Sequence, residues 1–232
     1  MKISEFIPKF TKFEIRLWMI SALVVTLAFL CGGEWQWLNL VASLTGVSAL
    51  IFVGKGNVIG QVFTLIFAIL YAVISYDLRY YGEMITYIGM TGLIAIVSIC
   101  AWIKHPSKSG HAEVEVAEMR KKDIAVMCVL AVSVTVGFYY ILKYFNTANL
   151  LVSTLSVTTS FLASYLSWRR IPAYALAYAA NDVVLIILWG VASFQNLSYL
   201  SMVACFATFL FNDIYGYCNW RRMRKMQKQM LE

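Results

Sequence analysis

PAYALAYAANDVVLIILWGVASF, from Pro172 to Phe194, and YLSMVACFATFLFNDIYGYCNWRR, from Tyr199 to Arg222, decide how this chain is read. Each holds about 20 residues of mostly apolar sequence. At about 1.5 Å of rise per residue, that crosses a ~30 Å hydrocarbon layer. A lipid-facing helix has no use for amides or carboxylates, which are costly to bury there. Asn181 and Asp182 in the first helix, and Asn212, Asp213 and Asn219 in the second, therefore call for a task inside the protein.

The rest of the composition agrees with a membrane setting. The 232 residues are 61% hydrophobic and 13% charged, with a mean hydropathy of +0.72. A soluble domain carries roughly 25% charged residues. The net charge of +7 is not spread as in a nucleic-acid binder, because it collects in short loops and a tail. The five cysteines lie in apolar runs without paired spacing and read as small buried hydrophobes. His105 and His111 share one polar loop, which leaves no metal-ligand set and no cofactor to expect. No cleavable signal peptide stands at the start, since Met1 to Arg16 is mixed and charged.

Hydropathy predicts an all-α integral membrane protein with eight transmembrane spans. They lie near 16–31, 37–53, 58–76, 80–102, 124–145, 149–167, 172–194 and 198–219. On that count, 17 of the 19 basic residues fall on the side of the N-terminus; only Arg79 and Lys143 fall opposite. The asymmetry puts both termini in the cytoplasm. The polar stretch Lys104–Asp123 then joins two halves across the cytoplasmic face.

A shift of 118 residues lays Trp102 on Trp220, Cys100 on Cys218, Tyr81 on Tyr199 and Ser75 on Ser193. It lays spans 2 to 4 on spans 6 to 8. The expected plan is one membrane domain with an extra N-terminal helix (16–31), repeat 1 (37–102) and a linking helix (124–145). Repeat 2 (149–220) and a basic cytoplasmic tail (221–232) complete it. Parallel three-helix repeats joined by one helix are a transporter architecture, with the site between the repeats.

Within the spans, Asn212, Tyr215 and Asn219 share one helix face at i, i+3 and i+7, while Asp213 and Tyr217 share the neighbouring one. Asn181, Leu185 and Trp189 form another stripe, and Gln61, Thr64, Ala68 and Tyr71 a third. Amides both donate and accept, and Trp or Tyr faces stack on rings and attract cationic ones. The expected substrate site is therefore Gln61, Asn181, Trp189, Asn212, Tyr215 and Asn219, with Tyr71, Tyr87, Asp182 and Tyr217 as a secondary set. The competing role for each is to cement helices, at about 0.6 kcal/mol per interhelical bond. Two roles stay open for Asp182 and Asp213: proton or sodium coupling, or holding a neighbouring tyrosine or backbone amide. Glu83 stands four residues after Arg79 and fits an interfacial pair with it. No GxxxxGK[ST] loop, no Gly-x-Ser-x-Gly elbow and no metal set occur, so an enzyme is not expected.

The segment NDIYGYCNW (Asn212 to Trp220) resembles the closing N-x-x-Y-G-x-x-x-W pattern of the PnuC family of vitamin transporters. NDVV with LW in span 7 and LRYYGEM (Leu78 to Met84) are similar to that family too. The first repeat departs from it, ending Ser98-Ile99-Cys100-Ala101-Trp102 without a Gly-Trp pair. The resemblance implies a nicotinamide riboside transporter of the bacterial inner membrane, with a plan like that of SWEET sugar transporters. It implies facilitated diffusion, trapping by a cytoplasmic kinase, and a homo-oligomer such as a trimer. Proton-coupled carriage of thiamine or a related vitamin through Asp182 or Asp213 is the alternative. Partners are then a small-molecule substrate and the lipid bilayer, with no nucleic acid.

Overall fold

The computed structural model of the protein describes residues 8–31, 37–77, 81–107, 112–147, 149–194 and 200–230. Helix dominates throughout. The elements are α1 (Lys12–Cys31), α2 (Trp37–Gly54), α3 (Val58–Asp77) and α4 (Tyr81–Thr86). A π-helical turn (Tyr87–Gly92) runs straight from α4 into α5 (Leu93–Lys104). Then come α6 (Lys121–Tyr144), α7 (Leu150–Trp168), α8 (Tyr174–Ser193) and α9 (Leu200–Gln229). Among the described residues, seven helices are long and apolar enough to cross a bilayer, with Glu83–Lys104 counted as one. The apolar part of α9 stands apart because Asn212 and Asp213 interrupt it.

Local chemistry sets the helix ends. Thr11 and Glu14 close a capping box at the start of α1: Glu14 Oε2 accepts from Thr11 N at 2.6 Å, and Thr11 Oγ1 from Glu14 N at 3.3 Å. Gly56 turns α2 into α3 at a φ of 65°, a conformation that favours glycine. Asn57 Oδ1 then accepts from Ile59 N at 2.9 Å and starts α3. α9 runs to Gln229, ten residues past the span expected to end at 219. Its basic extension continues as helix and is held by the loop that follows α5. Gln227 Oε1 accepts from Val116 N at 2.9 Å, and Lys228 pairs with Glu118 at 2.5 Å. The Lys228 ammonium holds the Glu118 carboxyl below its usual range.

That loop straps together the turn between α2 and α3 and the turn between α7 and α8. Val114 N donates to Gly56 O at 2.8 Å, Asn57 Nδ2 to Ala112 O at 2.7 Å, and Ala117 N to Arg170 O at 3.1 Å. Burial in the strap lowers the basicity of the Arg170 guanidinium.

The helices fall in two groups, α2 to α5 and α7 to α9, that pack against each other. α2 lies on α3 and α7 on α8, while α2 also packs against α9 and α5 against α7. α1 lies outside, against α2 and α9. α6 is the least buried span. The expected Arg79–Glu83 pair falls outside the described residues, because Arg79 is not among them; Glu83 itself is buried at 5% exposure.

Candidate functional site

Where the two groups meet, a cavity of about 70 Å³ opens between α2, α3, the π-turn, α7, α8 and α9. Its polar lining includes Gln61, Asn181, Asp182 and Asp213; Tyr87, Tyr178, Phe67 and Phe206 supply rings. Among the described residues, no lysine, arginine or histidine lines it. A pocket for a drug-sized ligand runs from roughly 300 Å³ upward, so admitting one requires the helices to separate.

Asp182 and Asp213 come from facing helices and lie within hydrogen-bonding reach of each other, each 3% exposed. Asp182 Oδ2 has no partner among the described residues.

The amides are set from behind. Gln61 Nε2 donates to Ser167 Oγ at 3.0 Å. Asn181 Oδ1 accepts from Thr159 Oγ1 at 2.9 Å and from Ser156 Oγ at 3.3 Å. Tyr178 pairs with Ser164 through their hydroxyls at 3.1 Å. The serine and threonine hydroxyls among these all sit on α7.

An aromatic cluster lies beside the cavity, further along α3 and α8. Tyr71 and Tyr87 have ring centroids 4.1 Å apart, and Phe67 and Phe206 pack on them. Trp189, 4% exposed, belongs to this cluster and is not part of the cavity lining. The π-turn begins at Tyr87, and such turns are frequent at functional sites.

Asn212, Tyr215 and Asn219 do share a face, and the structure turns it away from the cavity. Asn212 Nδ2 donates to Ser21 Oγ on α1 at 2.9 Å and to Thr208 O at 2.8 Å. The Tyr215 hydroxyl donates to Glu14, which also pairs with Lys55 at 3.1 Å. Asn219 Nδ2 donates to Gly54 O at 2.8 Å, at the end of α2. Tyr217 carries the Arg221 guanidinium 5.7 Å above its ring. Asp213, one residue after Asn212, is the residue of this segment that reaches the cavity. Asn212→Ala is accordingly expected to lower the melting temperature while binding per folded molecule stays within about twofold, because each interhelical bond adds on the order of 0.6 kcal/mol. Melting and titration calorimetry on one preparation check this.

Two tryptophans bridge neighbouring helices. Trp102 Nε1 donates to Ser167 O at 3.0 Å, and Trp220 Nε1 to Val53 O at 2.8 Å. The third span of each group thus grips the end of the other group's first helix. Their rings stand 5.5 Å apart, and the Tyr174 hydroxyl reaches Val53 O at 3.4 Å.

Apolar helices packed round a buried cavity that carries a few amides and carboxyls define a multi-pass membrane protein of the transporter class. The chain belongs to the nicotinamide mononucleotide transporter family, whose model matches residues 36–222. It is 30% identical to the nicotinamide riboside transporter PnuC of Neisseria mucosa, over 95% of this chain and 85% of that protein. It is 22% identical to the protein of that name from Haemophilus influenzae, over 95% of each. A solved structure, described as the crystal structure of the vitamin B3 transporter PnuC, superposes with a TM-score of 0.83 at 25% identity. That likeness covers 98% of this chain and 100% of the other.

Proposed function

We propose that this protein carries nicotinamide riboside across the bacterial inner membrane by facilitated diffusion, through the cavity that Asp182 and Asp213 line. The family is described by the mononucleotide and the relatives by the riboside, and the cavity's charge favours the latter. Nicotinamide riboside has a cationic pyridinium ring and no phosphate. The unpartnered Asp182 oxygen beside Asp213 and the neighbouring aromatic faces suit that ring. A phosphate would enter a site with two carboxyls and, among the described residues, no basic one, at a large desolvation cost.

The spans are read as eight, arranged as two parallel triplets of helices (37–102 and 149–220) linked by α6, with α1 outside. The crossed Trp102 and Trp220 contacts support that pairing. Rocking of one triplet against the other would open the tryptophan pair to the cytoplasm, where a separate kinase traps the substrate. A homo-oligomer is part of this reading, and α6, the least buried span, offers the surface for it. Trp189 acts from the aromatic cluster on the ring's path, while Asn212, Tyr215 and Asn219 act by docking α9 against α1 and α2.

Two results are expected. In proteoliposomes without ATP or an ion gradient, labelled riboside equilibrates and does not accumulate. Accumulation that a protonophore abolishes would instead favour proton-coupled uptake of the riboside, thiamine or a related vitamin through the same carboxyl pair. In intact cells, a cysteine placed in 104–123 is expected to resist an impermeant reagent applied outside. Labelling from outside would overturn the cytoplasmic placement of the termini.

A further inference from the structure

α1 straddles the seam between the two helix groups, packing against α2 of one and α9 of the other. Polar links hold it to each. Toward the first group, Trp18 Nε1 donates to Ser48 Oγ on α2 at 3.1 Å. The Lys55 ammonium, in the turn after α2, lies 3.1 Å from Glu14 Oε1. Toward the second, Asn212 Nδ2 donates to Ser21 Oγ at 2.9 Å, and the Tyr215 hydroxyl donates to Glu14 Oε1. Glu14, Trp18 and Ser21 follow one stripe of α1, at i, i+4 and i+7. Of these, only Glu14 touches both groups, and it is 1% exposed. Its Oε1 takes Lys55 and Tyr215 together, while Oε2 stays on the capping bond from Thr11.

We infer that Glu14 is a positioning residue that bridges the two groups through α1 and holds the cavity in its contracted form of about 70 Å³. This rests on the reading that the groups rock to admit the riboside, and it adds what restrains them. A contact made only in the contracted arrangement lowers the population able to bind, and apparent affinity falls by the same fraction. Losing such a contact therefore tightens binding even as it costs stability. The links differ in strength. Those to Glu14 involve a charge, whereas Trp18–Ser48 and Asn212–Ser21 are neutral and contribute less.

The probe is nicotinamide riboside, titrated calorimetrically into the full-length protein, Tyr215→Phe, Lys55→Met, their double and Glu14→Gln, with melting followed on each. Tyr215→Phe keeps the ring and removes the link to α9. It is expected to bind the riboside about tenfold more tightly while melting at a lower temperature. Lys55→Met cuts the link to the other group and shows the same opposed changes. Glu14→Gln keeps the capping box, which a glutamine also serves, and weakens both links, so its gain is severalfold. The two links act in series, so the double variant gains no more than about twofold over the better single. A carboxylate that merely braces α1 predicts lower melting with affinity unchanged or weakened in both Tyr215→Phe and Lys55→Met, and that result would overturn the inference. Summed gains in the double would overturn it too, since they would mark two separate braces. Failure of the unaltered protein to bind the riboside would instead remove the transport reading beneath it.

Discussion

Replacing Asp182 and Asp213 together by asparagine is expected to weaken nicotinamide riboside binding about 100-fold. The exchange keeps shape and hydrogen-bonding capacity, so what it removes is charge. Interactions of a charged group in a buried site contribute about 1.5–3 kcal/mol each, and about 1.4 kcal/mol is a factor of ten. A single exchange should cost less, about tenfold, because the remaining carboxyl still faces the ring. The competing role, in which the pair only braces α8 against α9, makes a different forecast: the melting temperature shifts and affinity stays. Calorimetry of both singles and the double, each with a melting curve, separates the two. Undiminished affinity in the double variant would exclude the carboxyl pair from the site.

Gly60→Ala should be the most damaging small change outside the cavity lining. A Cβ there would lie 2.4 Å from Val53 N and 2.9 Å from Phe52 C, which is helix backbone and cannot swing aside. α2 and α3 must then part. Val53 O would be displaced from the Trp220 indole that it receives at 2.8 Å, and Gln61, the next residue, would shift from Ser167. Overpacking of this kind costs about 1–3 kcal/mol and more where backbone must move. The expected result is a melting temperature lowered by several degrees and a weaker riboside titration. Gly190→Ala is the control, since no atom stands within 4 Å of its added methyl. Equal loss in the two variants would show that the α2–α3 approach is not what limits packing here.

Which parts of this could be read in advance follows from what periodicity encodes. Span positions came from hydropathy, and the amides were conspicuous because lipid gives them no partner. Helical spacing correctly grouped Asn212, Tyr215 and Asn219 on one face. It carries no information on which neighbour that face meets, and α1 and the end of α2 occupy it, with Ser21, Glu14 and Gly54 as partners. Asp213 reaches the cavity by the 100° turn that separates consecutive residues on a helix. The serines of α7 had a signal that went unused. Ser153, Ser156, Ser160, Ser164 and Ser167 recur at three- and four-residue intervals, and all five are buried. A small polar stripe in an apolar span marks a helix that packs closely and orients groups on its neighbours. The π-turn at Tyr87 had no such signal, since nothing in YIGMTG distinguishes i+5 from i+4 bonding.

Charge decides the substrate: a cavity with two carboxyls and, among the described residues, no basic group should accept a cationic nucleoside and refuse its phosphate ester. The direct measurement is side-by-side calorimetry of nicotinamide riboside and nicotinamide mononucleotide on the purified protein at one salt concentration. Riboside is expected to bind at least about 100-fold more tightly, since an unpaired phosphate in such a site costs several kcal/mol. Equal or tighter binding of the mononucleotide would contradict the account.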